Sequence, residues 1–202
     1  MAMSQGKTIS SYPLLLKIIR ALVGGLFALR GWRFTSEQPV ARKYVMIVAP
    51  HTSNWDFFLM VVLAAGLGRQ VRFMGKHSLF TGLQGRFLVW LGGVAVERSS
   101  HHDFVSQMVV LFKETDDMVL IIAPEGTRSK VQAWKGGFYH IASGADLPVL
   151  AAQLDYAKKY VGIAPEYRLS GNYAYDIERI QAFYRDVTAK YPEQDSSCVK
   201  SL

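Results

Sequence analysis

The chain has a single cysteine, Cys198, among its 202 residues, so no disulfide can form within it. That fits a reducing compartment. No Gly-x-Ser-x-Gly elbow is present to expose a serine nucleophile. The spaced glycines and the Gly-Lys-Ser/Thr of a Walker loop are missing, as is any recognisable motif for reading nucleic acid. His101 and His102 adjoin Asp103, but adjacent histidines on a helix point in different directions. With no second ligand cluster, no metal site is expected. No small-residue cleavage site follows the apolar N-terminal stretch, so no signal peptide is expected. Repeats and low-complexity linkers are absent too. Acidic residues are scarce: 16 against 23 Lys and Arg, a net charge of +7. This balance favours an anionic partner such as nucleic acid, an acidic protein or a lipid surface; the plain alternative is a basic, solvated exterior.

What is present is apolar. Apolar types make up 50% of the chain and charged types 19%, which argues against disorder, and the length suits one sizeable core. The stretch "YPLLLKIIRALVGGLFALR" opens on Pro13, a residue suited to a helix start. Lys17, Arg20 and Gly24 form a narrow polar stripe at offsets of three and four. Leu14, Leu15, Ile18, Ile19, Leu22, Leu26 and Leu29 fill the wider face. A helix over this stretch is about 26 Å long. Two interior cations, at about 2.5–3.5 kcal/mol each, oppose a bilayer span. An amphipathic helix lying on a membrane surface lets both reach lipid headgroups. The alternative is an ordinary helix packed on the core.

Apolar runs then alternate in length and character. "RKYVMIVAP", "QVRFMGK", "GGVAVER", "MVLIIAPEG" and "LPVLAAQLDY" read as strands, the first a buried run closed by Pro50. Helices are expected between them: "FFLMVVLAAGLG", the segment 82–91, "SSHHDFVSQMVVLFKETDD" capped by Ser100 with Asp103 three residues on, and "GGFYHIASGA" stopped by Gly144. One or two further strands in 158–173 and a closing helix over 176–190 complete the series. The fold class is therefore α/β, a mostly parallel central sheet flanked by helices, with an N-terminal amphipathic membrane-surface helix. The expected division is a membrane-associating segment 1–36, a domain 37–192 and a flexible tail 193–202.

Ligands of such sheets gather at the carboxyl ends of strands. Polar clusters stand at four of these ends: His51 to Asp56, Lys76, Glu97 with Arg98, and Glu125 to Lys130. They form one site only if the strands are neighbours. His51 and Asp56 are five apart, about 140° on a straight helix, and so on different faces. They can meet if His51 lies in the turn and Asp56 in the first helical turn, behind a Ser53 or Asn54 cap. Asp56 would then fix the imidazole tautomer and leave the other nitrogen as a base. The competing reading is an acidic residue at a helix N-terminus beside a loop histidine. In "APEGTRSK", Gly126 permits a tight turn, and Arg128 and Lys130 suit a phosphate. Glu125 is odd beside an anion. Arg98 and Lys76 are further candidate cations. Each is also readable as a solvated charge.

"HTSNWD" followed by "APEGTRS" resembles the glycerolipid acyltransferases, bacterial 1-acylglycerol-3-phosphate and lysophospholipid acyltransferases in particular. The family's four blocks occur in order: His-x4-Asp at His51 to Asp56, "GGVAVER", Glu-Gly-Thr-Arg at Glu125 to Arg128, and the proline-containing "LPVLAA". The likeness spans about Tyr44 to Gln153. It implies transfer of a fatty acyl chain from a thioester, on coenzyme A or acyl carrier protein, to a lysophospholipid hydroxyl. His51 and Asp56 would be catalytic. Arg98, Glu125, Gly126, Thr127 and Arg128, with Lys76, would bind the acceptor. No bound cofactor, metal or nucleic acid is implied. The partners would be a membrane lipid surface, the lysophospholipid acceptor and an acyl carrier protein. The location would be peripheral on the cytoplasmic face of the inner membrane, or cytoplasmic. Glu97 departs from the family's usual Asp, and Trp134, Phe138 and Tyr139 are unusually aromatic. These departures bear on the acceptor, so an ornithine-type lysolipid remains an alternative to 1-acylglycerol-3-phosphate. A non-catalytic binder of anionic lipid and a lipid hydrolase are the readings from other classes.

Overall fold

The computed structural model describes residues 7–35, 37–96 and 101–199. The expected contributions of Glu97, Arg98 and the Ser100 cap lie outside the described residues. Along the chain run α1 (Pro13–Leu29), β1 (Arg33–Phe34), β2 (Lys43–Ala49), α2 (Trp55–Leu67), β3 (Val71–Lys76), α3 (Gly82–Trp90), β4 (Gly93–Val96) and α4 (His101–Glu114). There follow β5 (Met118–Ile122), α5 (Gly137–Gly144), β6 (Val149–Asp155), β7 (Tyr160–Ile163) and α6 (Tyr173–Ala182). The seven strands form one sheet in the order β1-β7-β6-β2-β5-β3-β4. All pairs are parallel except β6 with β7.

The central strands β2, β5 and β6 are apolar over most of their length because both faces are covered. Val45, Ile47 and Ala49 of β2 face a core completed by Met108 and Phe112 of α4, Ile141 of α5 and Ile180 of α6. The alternate residues Tyr44, Met46 and Val48 face Leu59, Leu63 and Leu67 of α2. The aromatic surplus noted at Trp134, Phe138 and Tyr139 belongs to the first of these cores.

Several boundaries differ from expectation. β1 was not anticipated: it is two residues long and exists through its pairing with β7. The 158–173 segment yields one strand, β7, and an isolated bridge from Tyr167 to Val149. The closing helix begins three residues early, where Asn172 accepts the Tyr175 N–H, and stops at Ala182. α5 ends at Gly144 as expected, and a Cβ there would meet Val109 Cγ2 at 2.9 Å, so the glycine also serves close packing of α5 on α4. Beyond Pro192 the expected frayed tail is instead packed as far as Val199: Ser196 and Ser197 are buried, and Trp134 Nε1 donates to the Ser196 carbonyl at 2.8 Å.

The first helix matches its expected span and is apolar on two stripes. Leu16, Ile19, Val23 and Phe27 are half-buried toward the body, and Gly24 stands against Val62 of α2. Leu14, Ile18, Leu22, Leu26 and Leu29 point outward, with Leu29 86% exposed. Arg20 does not reach outward as expected; its guanidinium donates to the Gly66 carbonyl at 3.4 Å, at the C-terminal end of α2 where carbonyls lack helical partners. No described helix is long and apolar enough to cross a membrane.

Candidate active site

The strands carrying the polar clusters are neighbours. β2, β5, β3 and β4 lie side by side and parallel, so their carboxyl ends share one edge. His51 follows β2, the 125–128 segment follows β5, and Lys76 ends β3.

His51 lies in the turn and Asp56 is the second residue of α2, which brings the two together. Nδ1 of His51 is 3.0 Å from Oδ2 of Asp56. The cap differs in detail from expectation: Asn54 holds the cap position without a side-chain bond, while Ser53 Oγ accepts the Trp55 N–H. Asp56 itself reaches back, its Oδ2 accepting the N–H groups of Thr52 at 2.9 Å and Ser53 at 2.8 Å. Its other oxygen, Oδ1, accepts from the Tyr156 hydroxyl at 2.6 Å. Asp56 is fully buried, whereas the His51 side chain is 29% exposed. A carboxylate only accepts, so Nδ1 carries the hydrogen and Nε2 is left with its lone pair.

Glu125 is 2% exposed, and its Oε1 accepts the His51 N–H at 3.1 Å. Burial pushes its carboxyl up to about 8. Hydrogen bonds from its own N–H and from His51 oppose the rise, and the Asp195 and Asp56 charges add to it. The shift favours the uncharged form near neutral pH, which eases the difficulty of an acid beside an anion. Gly126 turns the chain at φ +65°, in the left-handed region. Beyond it Thr127 Oγ1 accepts the Ser129 N–H, and Arg128 and Lys130 are exposed, as is Lys76. Arg98 lies outside the described residues. Among the described residues no group of three or more His, Cys, Asp or Glu could hold a metal.

Beside His51 opens an apolar groove with about 920 Å³ of space, counting its mouth. Leu16 and Ile19 of α1, Phe57 and Met60 of α2, Phe73 of β3 and Leu91 after α3 are among its walls, and its ionisable lining groups are His51 and Asp56. An apolar slot with an imidazole at its side fits a substrate that joins a hydrocarbon chain to a polar group.

Residues 32–155 match the family model for acyltransferases. The chain belongs to the acyltransferase family. Among solved structures, the 1-acyl-sn-glycerophosphate (LPA) acyltransferase PlsC from Thermotoga maritima is similar, with a TM-score of 0.60 and 19% sequence identity, over 88% of this chain and 81% of that one. At that identity the likeness shows a shared fold. No curated protein matches the chain.

Two parts of this acyltransferase's site had no sequence signal. Tyr156 lies 100 residues from Asp56 and reaches it because β6 and β2 are neighbours. The segment after α6 also closes on the site: the Tyr191 N–H donates to Thr52 Oγ1 at 3.2 Å, and the Lys190 ammonium stands 5.0 Å from the centre of the Trp55 ring. The pattern available in sequence, a Tyr one residue past a buried strand, is too common to single out.

Proposed function

We propose that this acyltransferase moves a fatty acyl chain from a thioester to the free hydroxyl of a lysophospholipid, 1-acylglycerol-3-phosphate being the favoured acceptor. The observation that carries the reading is the position of the His51–Asp56 pair on the wall of an apolar groove. With the acyl chain in the groove, His51 Nε2 takes the proton of the acceptor hydroxyl as its oxygen bonds to the thioester carbonyl carbon. Asp56 stays ionised and stabilises the imidazolium that forms. The tetrahedral intermediate then collapses, the carbon–sulfur bond breaks, and the departing thiolate recovers the proton from His51. The products are an ester and a free thiol. Lys76 and Arg128, with Arg98 and the Gly126–Thr127 turn, would hold the acceptor's phosphate, for which charge-assisted bonds from guanidinium are suited. The donor is an acyl-coenzyme A or an acyl carrier protein thioester, and the +7 charge suits either that acidic carrier or an anionic membrane.

The outward stripe of α1 supports a peripheral position on the membrane surface, at the cytoplasmic face where both thioester donors are made available. An apolar row of this kind lies in the plane of the interface. The test is a matrix of donors and acceptors incubated with anionic vesicles, with mass detection of the lipid product. Phosphatidic acid should form from lysophosphatidic acid, and the double variant Leu22→Glu with Leu26→Glu should leave the vesicles and lose most of the turnover. Free fatty acid appearing without acceptor would favour a hydrolase instead. Product from an ornithine-type lysolipid alone would replace the phosphate acceptor.

A further inference from the structure

The dyad has a third member in space. Asp56 needs one fixed orientation to hold the His51 imidazole, and three of its four donors, His51 Nδ1 and two backbone N–H groups, crowd onto Oδ2. Oδ1 is served by the Tyr156 hydroxyl, at 2.6 Å. Because Asp56 is fully buried, loss of that donor would leave an ionised oxygen with neither water nor protein to pair it. Tyr156 is itself held on several sides. Its backbone N–H donates to the Thr188 carbonyl at 2.8 Å. Trp32, which follows α1, meets its ring edge to face at 5.0 Å, and the Lys190 ammonium lies over it at 6.0 Å.

We propose that Tyr156 is a positioning residue of the acyl-transfer site, its hydroxyl locking the Asp56 carboxylate so that Oδ2 stays aimed at His51 Nδ1. The assignment rests on the reading of His51 as the base. Burial, then the hydrogen bond to Asp56 and that residue's charge, then Tyr191, raise the phenol well above its ordinary value. The hydroxyl therefore remains a donor throughout the working range. Without it, Asp56 is free to turn from the imidazole, and the imidazolium that forms is stabilised less. The other charged or titratable groups around the pair are Lys190 and Tyr191 from the C-terminal segment, Glu125 after β5, and Asp195.

The nearly isosteric Tyr156→Phe tests this. Turnover of acyl-coenzyme A with lysophosphatidic acid should fall about tenfold in kcat with KM unchanged. The acid limb of the rate profile, and the His51 imidazole titration followed by NMR, should move down, because a carboxylate no longer locked toward Nδ1 supports the imidazolium less. In a His51→Ala background the same substitution should cost nothing further, because its effect passes through the imidazole. A variant with wild-type kcat and an unmoved His51 titration, changed only in melting temperature, would reduce Tyr156 to packing. An equal loss in the His51→Ala background would place its action elsewhere; either result overturns the proposal. If His51→Ala itself kept wild-type turnover, the general-base reading would fall, whereas a silent Tyr156→Phe beside an inactive His51→Ala would sink this assignment alone.

Discussion

The loops after β2 and after β5 stand side by side on one sheet edge and are built on opposite plans. In the first, polar atoms are committed inward: Asp56 takes four hydrogen bonds within the protein, and Thr52 and Ser53 are buried. In the second, Glu125 is buried, while Arg128 and Lys130 project into solvent. On the proposed function, the contrast separates two demands. Moving a proton requires groups whose geometry is fixed before substrate arrives. Recognising an anion requires cations that the anion can reach. Glu125 links the two plans, since it starts the second loop and bonds to the backbone of the first.

The contrast breaks most visibly at His51. His51→Ala, verified as folded, should lower kcat by about 10²–10⁴-fold with little change in KM for the acceptor; a KM effect without a kcat effect would move His51 to the recognition side. A smaller and opposite signature is expected at Arg128. Arg128→Ala should raise the acceptor's KM about tenfold with kcat nearly unchanged, and this penalty should shrink with added salt because the group is exposed. The effect expected at Glu125 is one of stability. Its carboxyl moves from an ordinary 4.5 to about 8 on folding. Between those values the folded chain keeps a proton that the unfolded chain gives up. The contribution is full below the lower value and is lost as pH rises through about 8. Glu125→Gln removes it, so melting temperature should decline less steeply with pH in the variant than in the parent. Parallel curves would show that the carboxyl is not raised.

The parts of this architecture that were legible in sequence are those with local causes. The run from Tyr44 to Ala49, a short β-branched and aromatic stretch closed by Pro50, reads as a buried strand, and β2 is one. The spacing of His51 and Asp56 lets them meet only across a turn and a helix start, and this arrangement is what forms. β1 could not be seen because two residues carry no periodicity, and its reason for existing is 127 residues away in Tyr160. The start of α6 was available in Asn172, a favoured cap whose side chain accepts the Tyr175 N–H. Its end was not, because the chain leaves the helix to bury Tyr184 and to bring Thr188 against Tyr156. Arg20 was misjudged for a related reason. Its position on the helix was correct, but a carbonyl at the end of another helix lay within reach.

One feature of α1 carries furthest. Its inner stripe walls the groove and its outer stripe is bare, so a single helix, about 10–12 Å across with its side chains, separates the apolar groove from whatever covers the outside. On a membrane, the chain being transferred and the chains of the surrounding lipid would then lie on two sides of one thin partition. The acceptor's supply to such a site is governed by its density per unit of lipid surface, and molarity in the bulk loses its meaning as a measure of substrate.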